Sequence, residues 1–172
     1  AVANAYAKGA YAPSLERVYF GPAGQASQAS WHYIDVEGVV VEFFHNVPVA
    51  NEGFSYSNCV YHESLDRIYF VPNGNGRKET WHYLDGQTGA IIGYSHNFDV
   101  VHSMAHNSYR GGAYAPYLQR VYFAPYGQAW SNANRLWHYV NESGIAVGYV
   151  HGTSGLSNTA YDGATYLSLI HI

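Results

Sequence analysis

Three observations predict an all-β protein built as a partial β-propeller, with about three four-stranded antiparallel blades and the first strand of a fourth. The chain repeats, with marker tyrosines at Tyr11, Tyr61, Tyr114 and Tyr166 separated by 50, 53 and 52 residues. Each copy holds four short β-like runs separated by Gly, Pro, Asn and Ser clusters. No stretch of helical periodicity is long enough to compete with them. Four strands in a repeat of roughly 40–50 residues is the pattern of a propeller blade, whereas helical solenoids need helices and leucine-rich or hexapeptide coils have shorter periods.

The first copy sets out the elements. Strand A runs from about Tyr6 to Ala12, strand B from Arg17 to Pro22, strand C from Trp31 to Asp35 and strand D from Val39 to His45. The second copy repeats B as Arg67-Ile68-Tyr69-Phe70-Val71-Pro72 and C as Trp81-His82-Tyr83-Leu84-Asp85; the third does so as Arg120-Val121-Tyr122-Phe123-Ala124-Pro125 and Trp137-His138-Tyr139-Val140-Asn141. Alternation places Trp31, Tyr33 and Asp35 on one face of strand C and His32 and Ile34 on the other, while Val41, Phe43 and His45 share a face of strand D. Both faces are aromatic or apolar, as expected where a blade is sandwiched between two neighbours. If Tyr19 faces Tyr33, then Arg17 faces Asp35, Arg67 faces Asp85 and Arg120 faces Asn141, a recurrent cross-strand pair. Small residues at Gly9, Cys59, Gly112 and Ala164 suit the crowded inner edge beside a central channel. Blades are expected over about 5–46, 55–97 and 108–152, with the start of the next over 160–166.

Composition narrows the function classes. The 172 residues are 48% hydrophobic, 17% aromatic and 12% charged, which excludes disorder and leaves surface polarity to Tyr, Ser, Asn and Gly. A net charge of −4 without a basic run argues against nucleic-acid binding. No apolar run approaches the roughly 20 residues of a membrane-spanning helix, so no membrane insertion is expected. A single cysteine, Cys59, rules out an intramolecular disulfide framework and a cysteine-based zinc site. The last six residues, Leu167-Ser168-Leu169-Ile170-His171-Ile172, match the translation of a transposon end used in making sequencing libraries and are set apart from the fold. Three blades do not close a ring, so contacts with further blades or with other copies of the chain are expected.

In an up-and-down blade the B-to-C and D-to-A connections emerge on one face and the A-to-B and C-to-D turns on the other. The C-to-D turns are short and alike, from Asp35 to Gly38, Asp85 to Gly89 and Asn141 to Gly144. The B-to-C connections vary, and variation confined to one face of a repeat protein marks its binding face. Candidate ligand-face residues are Trp130, Tyr126, Asn134 and Arg135 in the third copy, Arg77, Lys78 and Glu79 in the second, and His102 and His106 between blades. Trp130 stands outside the repeat pattern, and an aromatic beside Asn and Gln suits a sugar ring or a partner protein.

Catalysis is not expected of the repeated residues, because a feature present once per blade solves a packing problem and a catalytic site needs one unsymmetrical constellation. Trp31-His32-Tyr33 and its copies are therefore read as structural. His45, His96 and His151 end strand D, which is expected outermost, where ring geometry spreads equivalent positions apart; no metal and no other cofactor is assigned. The i, i+4 spacing of His102 and His106 suits zinc on a helix, but the segment reads as a loop. Nucleophile-elbow, zinc-protease and phosphate-loop motifs are missing.

Gly112-Ala113-Tyr114-Ala115-Pro116, the run Arg120 to Gln128, and Trp137-His138-Tyr139 together resemble a tandem repeat of uncharacterised proteins of marine tailed phages and related viruses. The resemblance covers residues 5–166 and departs at Asn58, Cys59 and His62. It implies a virion-associated or tail-fibre-like protein and brings no catalytic residues with it. The expected function is a non-enzymatic binding or structural module, on a virion or outside a cell, that recognises a glycan or protein receptor through its loop-rich face. The alternative is part of a glycoside hydrolase or lyase propeller whose catalytic carboxylates lie elsewhere in a longer protein; a pair of non-repeated Asp or Glu on the loop face would favour it.

Overall fold

A computed structural model describes residues 4–24, 28–45, 47, 55–74, 79–96, 108–126, 136–150 and 161–167. Within them lie three four-stranded antiparallel sheets in meander order. The first comprises β1 (Tyr6–Ala12), β2 (Arg17–Pro22), β3 (Ser30–Ile34) and β4 (Val40–Phe44); the second β5 (Tyr56–His62), β6 (Arg67–Pro72), β7 (Thr80–Asp85) and β8 (Ile91–Ser95); the third β9 (Tyr109–Ala115), β10 (Arg120–Pro125), β11 (Leu136–Val140) and β12 (Ala146–Val150). The first strands of successive sheets lie against one another, β1 beside β5 and β5 beside β9. Inner strand meets inner strand, which is the arrangement of a partial β-propeller.

Period-two alternation decides which side chains each sheet offers to its neighbours. On the forward face Trp31 stacks on His45 with ring centroids 4.0 Å apart and turns its edge to Phe70 of the second blade at 5.5 Å. Trp81 repeats the arrangement, stacking on His96 at 4.4 Å and meeting Phe123 and Tyr109 of the third blade at 5.8 and 6.1 Å. The rear face carries the histidine of strand C, whose Nδ1 shares a hydrogen bond with the tyrosine that opens strand A: Tyr6 with His32, Tyr56 with His82, Tyr109 with His138. Burial pushes His82 down to about 4 and His138 to about 3, the nearby His45 and His96 adding to it, so these rings stay neutral and pack as polar aromatics. The middle blade is covered on both sides: Tyr69, Ile68, Val71, Trp81 and Leu84 are fully buried. Burying one large side chain of this kind contributes roughly 1.5–3 kcal/mol, so the seams between blades carry much of the stability.

The turns opposite the variable connections repeat their chemistry. Gly38, Gly89 and Gly144 hold φ of +79°, +73° and +79°, a region that glycine enters without steric cost. The Asp35 carboxylate accepts the amides of Glu37 and Val39, Asp85 accepts those of Gln87 and Thr88 together with the Thr88 hydroxyl, and the Asn141 side chain accepts those of Ser143 and Ile145. Strands A and B are joined by a single 3-10 turn, Pro13–Leu15, Glu63–Leu65 or Pro116–Leu118.

The expected cross-strand register is found, and the arginine gains a second partner from it. Arg67 faces Asp85, and its guanidinium lies over the Tyr83 ring, 4.4 Å from the centroid, as Arg17 lies over Tyr33 at 4.3 Å and Arg120 over Tyr139 at 4.6 Å. The carboxylate is already engaged in tying its own turn, and the tyrosine face offers the cation a partly desolvated partner. That is why Asn141 can replace the aspartate: the position needs an acceptor and not a charge.

Candidate functional site

The small residues of strand A sit in the crowded position expected of them. A Cβ on Gly112 would stand 2.9 Å from the Tyr122 carbonyl oxygen and from Val60, and one on Gly111 2.6 Å from Gly163 Cα. Cys59 is buried against the first blade and donates its thiol hydrogen to the Lys8 carbonyl at 3.3 Å; burial pushes the thiol up to about 12, so it packs as a small apolar group.

Strand A starts, strand B ends, strand C starts and strand D ends at the same end of every sheet. A cavity of about 560 Å³ opens there beside the inner strands, lined by Ala7, Lys8, Ala23, Tyr56, Ser57, Asn73, Arg110 and Asp162. Two of its positions differ in every copy. The residue after the first tyrosine of strand A is Ala7, Ser57, Arg110 and then Asp162; the residue after the last proline of strand B is Ala23, Asn73 and then Tyr126. Tyr56, by contrast, belongs to the repeated Tyr–His pair and forms the cavity's rigid wall.

Hydrogen bonds fix part of this lining. The Ser57 hydroxyl and the Asn73 side-chain amide both donate to the Tyr109 carbonyl, at 2.8 and 2.9 Å, tying the second blade to the third. Arg110 donates to the Asp162 carboxylate at 3.0 Å while its guanidinium lies 3.9 Å from the centroid of the Tyr126 ring. Lys8 Nζ comes to 3.6 Å from where a Cβ on Gly163 would stand, beside Asp162. The cavity therefore gathers two cations and one carboxylate in a chain whose net charge is −4.

Of the residues singled out in the sequence, Trp130, Asn134, Arg135, Arg77, Lys78, His102, His106 and His151 lie outside the described residues, as do 168–172. Glu79 is exposed just before β7. Tyr126 reaches the cavity through Arg110. Both ring nitrogens of His45 are engaged, Nε2 donating to the Gln28 carbonyl and Nδ1 accepting the Val47 amide. Among the described residues no three His, Cys, Asp or Glu side chains are grouped to hold a metal ion. Variation between the connections does not reveal Lys8, Ser57 and Arg110, which stand within strands, nor does it single out Asn73 and Asp162. Aligning the copies on their first tyrosine exposes the signal.

No protein-family model and no curated protein matches the chain. Solved structures do. A catalytically inactive histidine-to-alanine variant of virginiamycin B lyase from Staphylococcus aureus with Quinupristin is similar over 86% of this chain and 42% of its own, at 15% identity and a TM-score of 0.56. A streptogramin B lyase structure is similar over 90% and 43%, at 15% identity and a TM-score of 0.53. Selenomethionine-substituted virginiamycin B lyase from Staphylococcus aureus is similar over 88% and 43%, at 11% identity and a TM-score of 0.54. The chain thus spans less than half the length of these proteins. At such identities the likeness concerns the fold, and it agrees with the propeller arrangement of the sheets.

Proposed function

We propose that the chain belongs to a β-propeller that binds a ligand at the end of the sheets where the inner strands begin. One observation carries this reading: the non-repeated polar side chains Lys8, Ser57, Asn73, Arg110 and Asp162 converge on one cavity, while the opposite end repeats the same turn in each blade. A volume near 560 Å³ falls in the usual range for a small-molecule site, roughly 300–1,000 Å³. The favoured ligand is a glycan, or a protein receptor that presents one; the virion-associated setting rests on the repeat motif of marine tailed phages. Further blades, or other copies of the chain, would complete the ring.

A glycan array probed with the purified protein tests this. Hits are expected, lost on Ser57→Trp, which fills the cavity, and retained on Glu142→Ala in the opposite turn. An array without hits, or hits indifferent to Ser57→Trp, would overturn glycan binding at this end.

A second reading, a lyase, is favoured by the fold likeness to streptogramin B lyases. Asp162 is the one carboxylate among the cavity's lining residues, and Arg110 holds it at 3.0 Å, so a general base would have to come from residues beyond these. Incubation with quinupristin followed by chromatography separates the readings: the binding module leaves the compound unchanged, and its catalytic loss would establish the lyase.

A further inference from the structure

We infer that the cavity at the head of the inner strands recognises a carboxylate borne by a small molecule, with Arg110 as its fork and Lys8 as a second cation. The inference rests on the reading that this end binds a ligand and adds the ligand's chemistry. Three observations support it. The Arg110 guanidinium carbon lies over the Tyr126 ring, 3.9 Å from its centroid, so the guanidinium is held in place before any ligand arrives. Among the described residues its hydrogen-bond acceptor is Asp162 alone, through Nη1, whereas a guanidinium carries five donors in a geometry that matches a carboxylate bidentately. The pair is open to water, Arg110 being 45% and Asp162 79% exposed, and a pair so exposed adds little to stability.

Backbone packing positions the group. Gly111 and Gly163 approach so closely that a Cβ on Gly111 would lie 2.6 Å from Gly163 Cα. This contact seats the segment carrying Asp162 beside β9 and brings Asp162 to Arg110. Lys8 Nζ, arriving from the first blade, lies over the same segment. Two cations against one carboxylate leave the cavity one positive charge in excess, so an incoming anion satisfies what the protein's own acid does not. Ala7, Ala23 and the Tyr56 ring supply an apolar wall for the body of the ligand.

Binding of sodium glucuronate, glucose and inorganic phosphate, measured by NMR titration of the full chain, tests the inference. Glucuronate is expected to bind at least ten-fold more tightly than glucose, more weakly as salt is raised, and more tightly than phosphate. Arg110→Gln should lower its affinity ten-fold or more, Arg110→Lys several-fold although the charge is kept, and Lys8→Ala several-fold from a different strand. Asp162→Asn should raise it several-fold by removing the competing anion. Glucose binding as well as glucuronate, phosphate binding more tightly, no detectable glucuronate binding, or glucuronate affinity unchanged in both Arg110→Gln and Lys8→Ala would each overturn the carboxylate assignment. Array hits sensitive to Ser57→Trp would then still uphold ligand binding at this end; their absence as well would remove both readings.

Discussion

The seam between blades and the cavity at the head of the inner strands are built from the same strands, yet one repeats itself and the other does not. In the seam, Trp31, Trp81 and Trp137 occupy one position, His32, His82 and His138 the next, and their partners repeat as faithfully. At the cavity, one position passes from Ala7 to Ser57, Arg110 and Asp162. Positions that face a neighbouring blade meet the same surface each time and so keep the same side chain. Positions that line the cavity have no such repeated partner, and on the proposed reading a ligand without rotational symmetry asks something different of each blade.

Substitutions sharpen that division. Trp81→Ala should cost about 4 kcal/mol in urea unfolding, since a fully buried indole wedged between two blades leaves a cavity that neighbours cannot fill. Lys8→Ala at the cavity should change stability by less than about 0.5 kcal/mol. Comparable losses from the two would erase the distinction.

Acid strains the seam next. His138 holds a value near 3 in the folded protein, against 6.5 ordinarily, because it is buried. Its folded-state value is lowered, so the unfolded chain takes the proton first. The stabilisation from keeping this ring neutral is fully present above about pH 6.5 and falls by on the order of a few kcal/mol as pH drops toward 3, with His82, near 4, adding to the loss. Denaturant midpoints at pH 7, 5.5 and 4.5 should fall in that order, and His138→Phe should flatten the slope. A midpoint that stays constant over this range would show that the rings are not buried as neutral groups.

The turns give a finer contrast. Gly144→Ala should cost about 2 kcal/mol, because its Cβ would crowd Arg67 Nη1 at 2.5 Å and the Tyr69 hydroxyl at 3.0 Å of the preceding blade in addition to the positive-φ penalty. Gly38→Ala should cost about 1 kcal/mol, since its Cβ meets nothing within 4 Å. Thermal unfolding of the two variants orders them; equal losses would mean that the turn does not touch the preceding blade.

Much of this seam was legible in the sequence. Repetition fixed the blades, and period-two alternation located the strands to within a residue: the expected first four runs appear as Tyr6–Ala12, Arg17–Pro22, Ser30–Ile34 and Val40–Phe44. The register of Arg67 against Asp85 was legible too, but not the arginine's partner. Pattern alone does not reveal that the aspartate is already occupied by its turn and that a tyrosine face lies within reach. The cavity was half legible: its end of the molecule followed from strand direction, but its lining did not. Ser57 and Arg110 stand in the interior of a strand, where alternation predicts packing, and only the approach of inner strands from different blades turns them toward a shared space.

Successive blades lean on each other through these aromatic seams. A double-mutant cycle between Trp81 of the second blade and Phe123 of the third, each changed to Leu and followed by urea unfolding, measures that contact directly. A favourable coupling of about 1 kcal/mol between the two rings is predicted. Strictly additive losses would contradict the packing of one blade on the next.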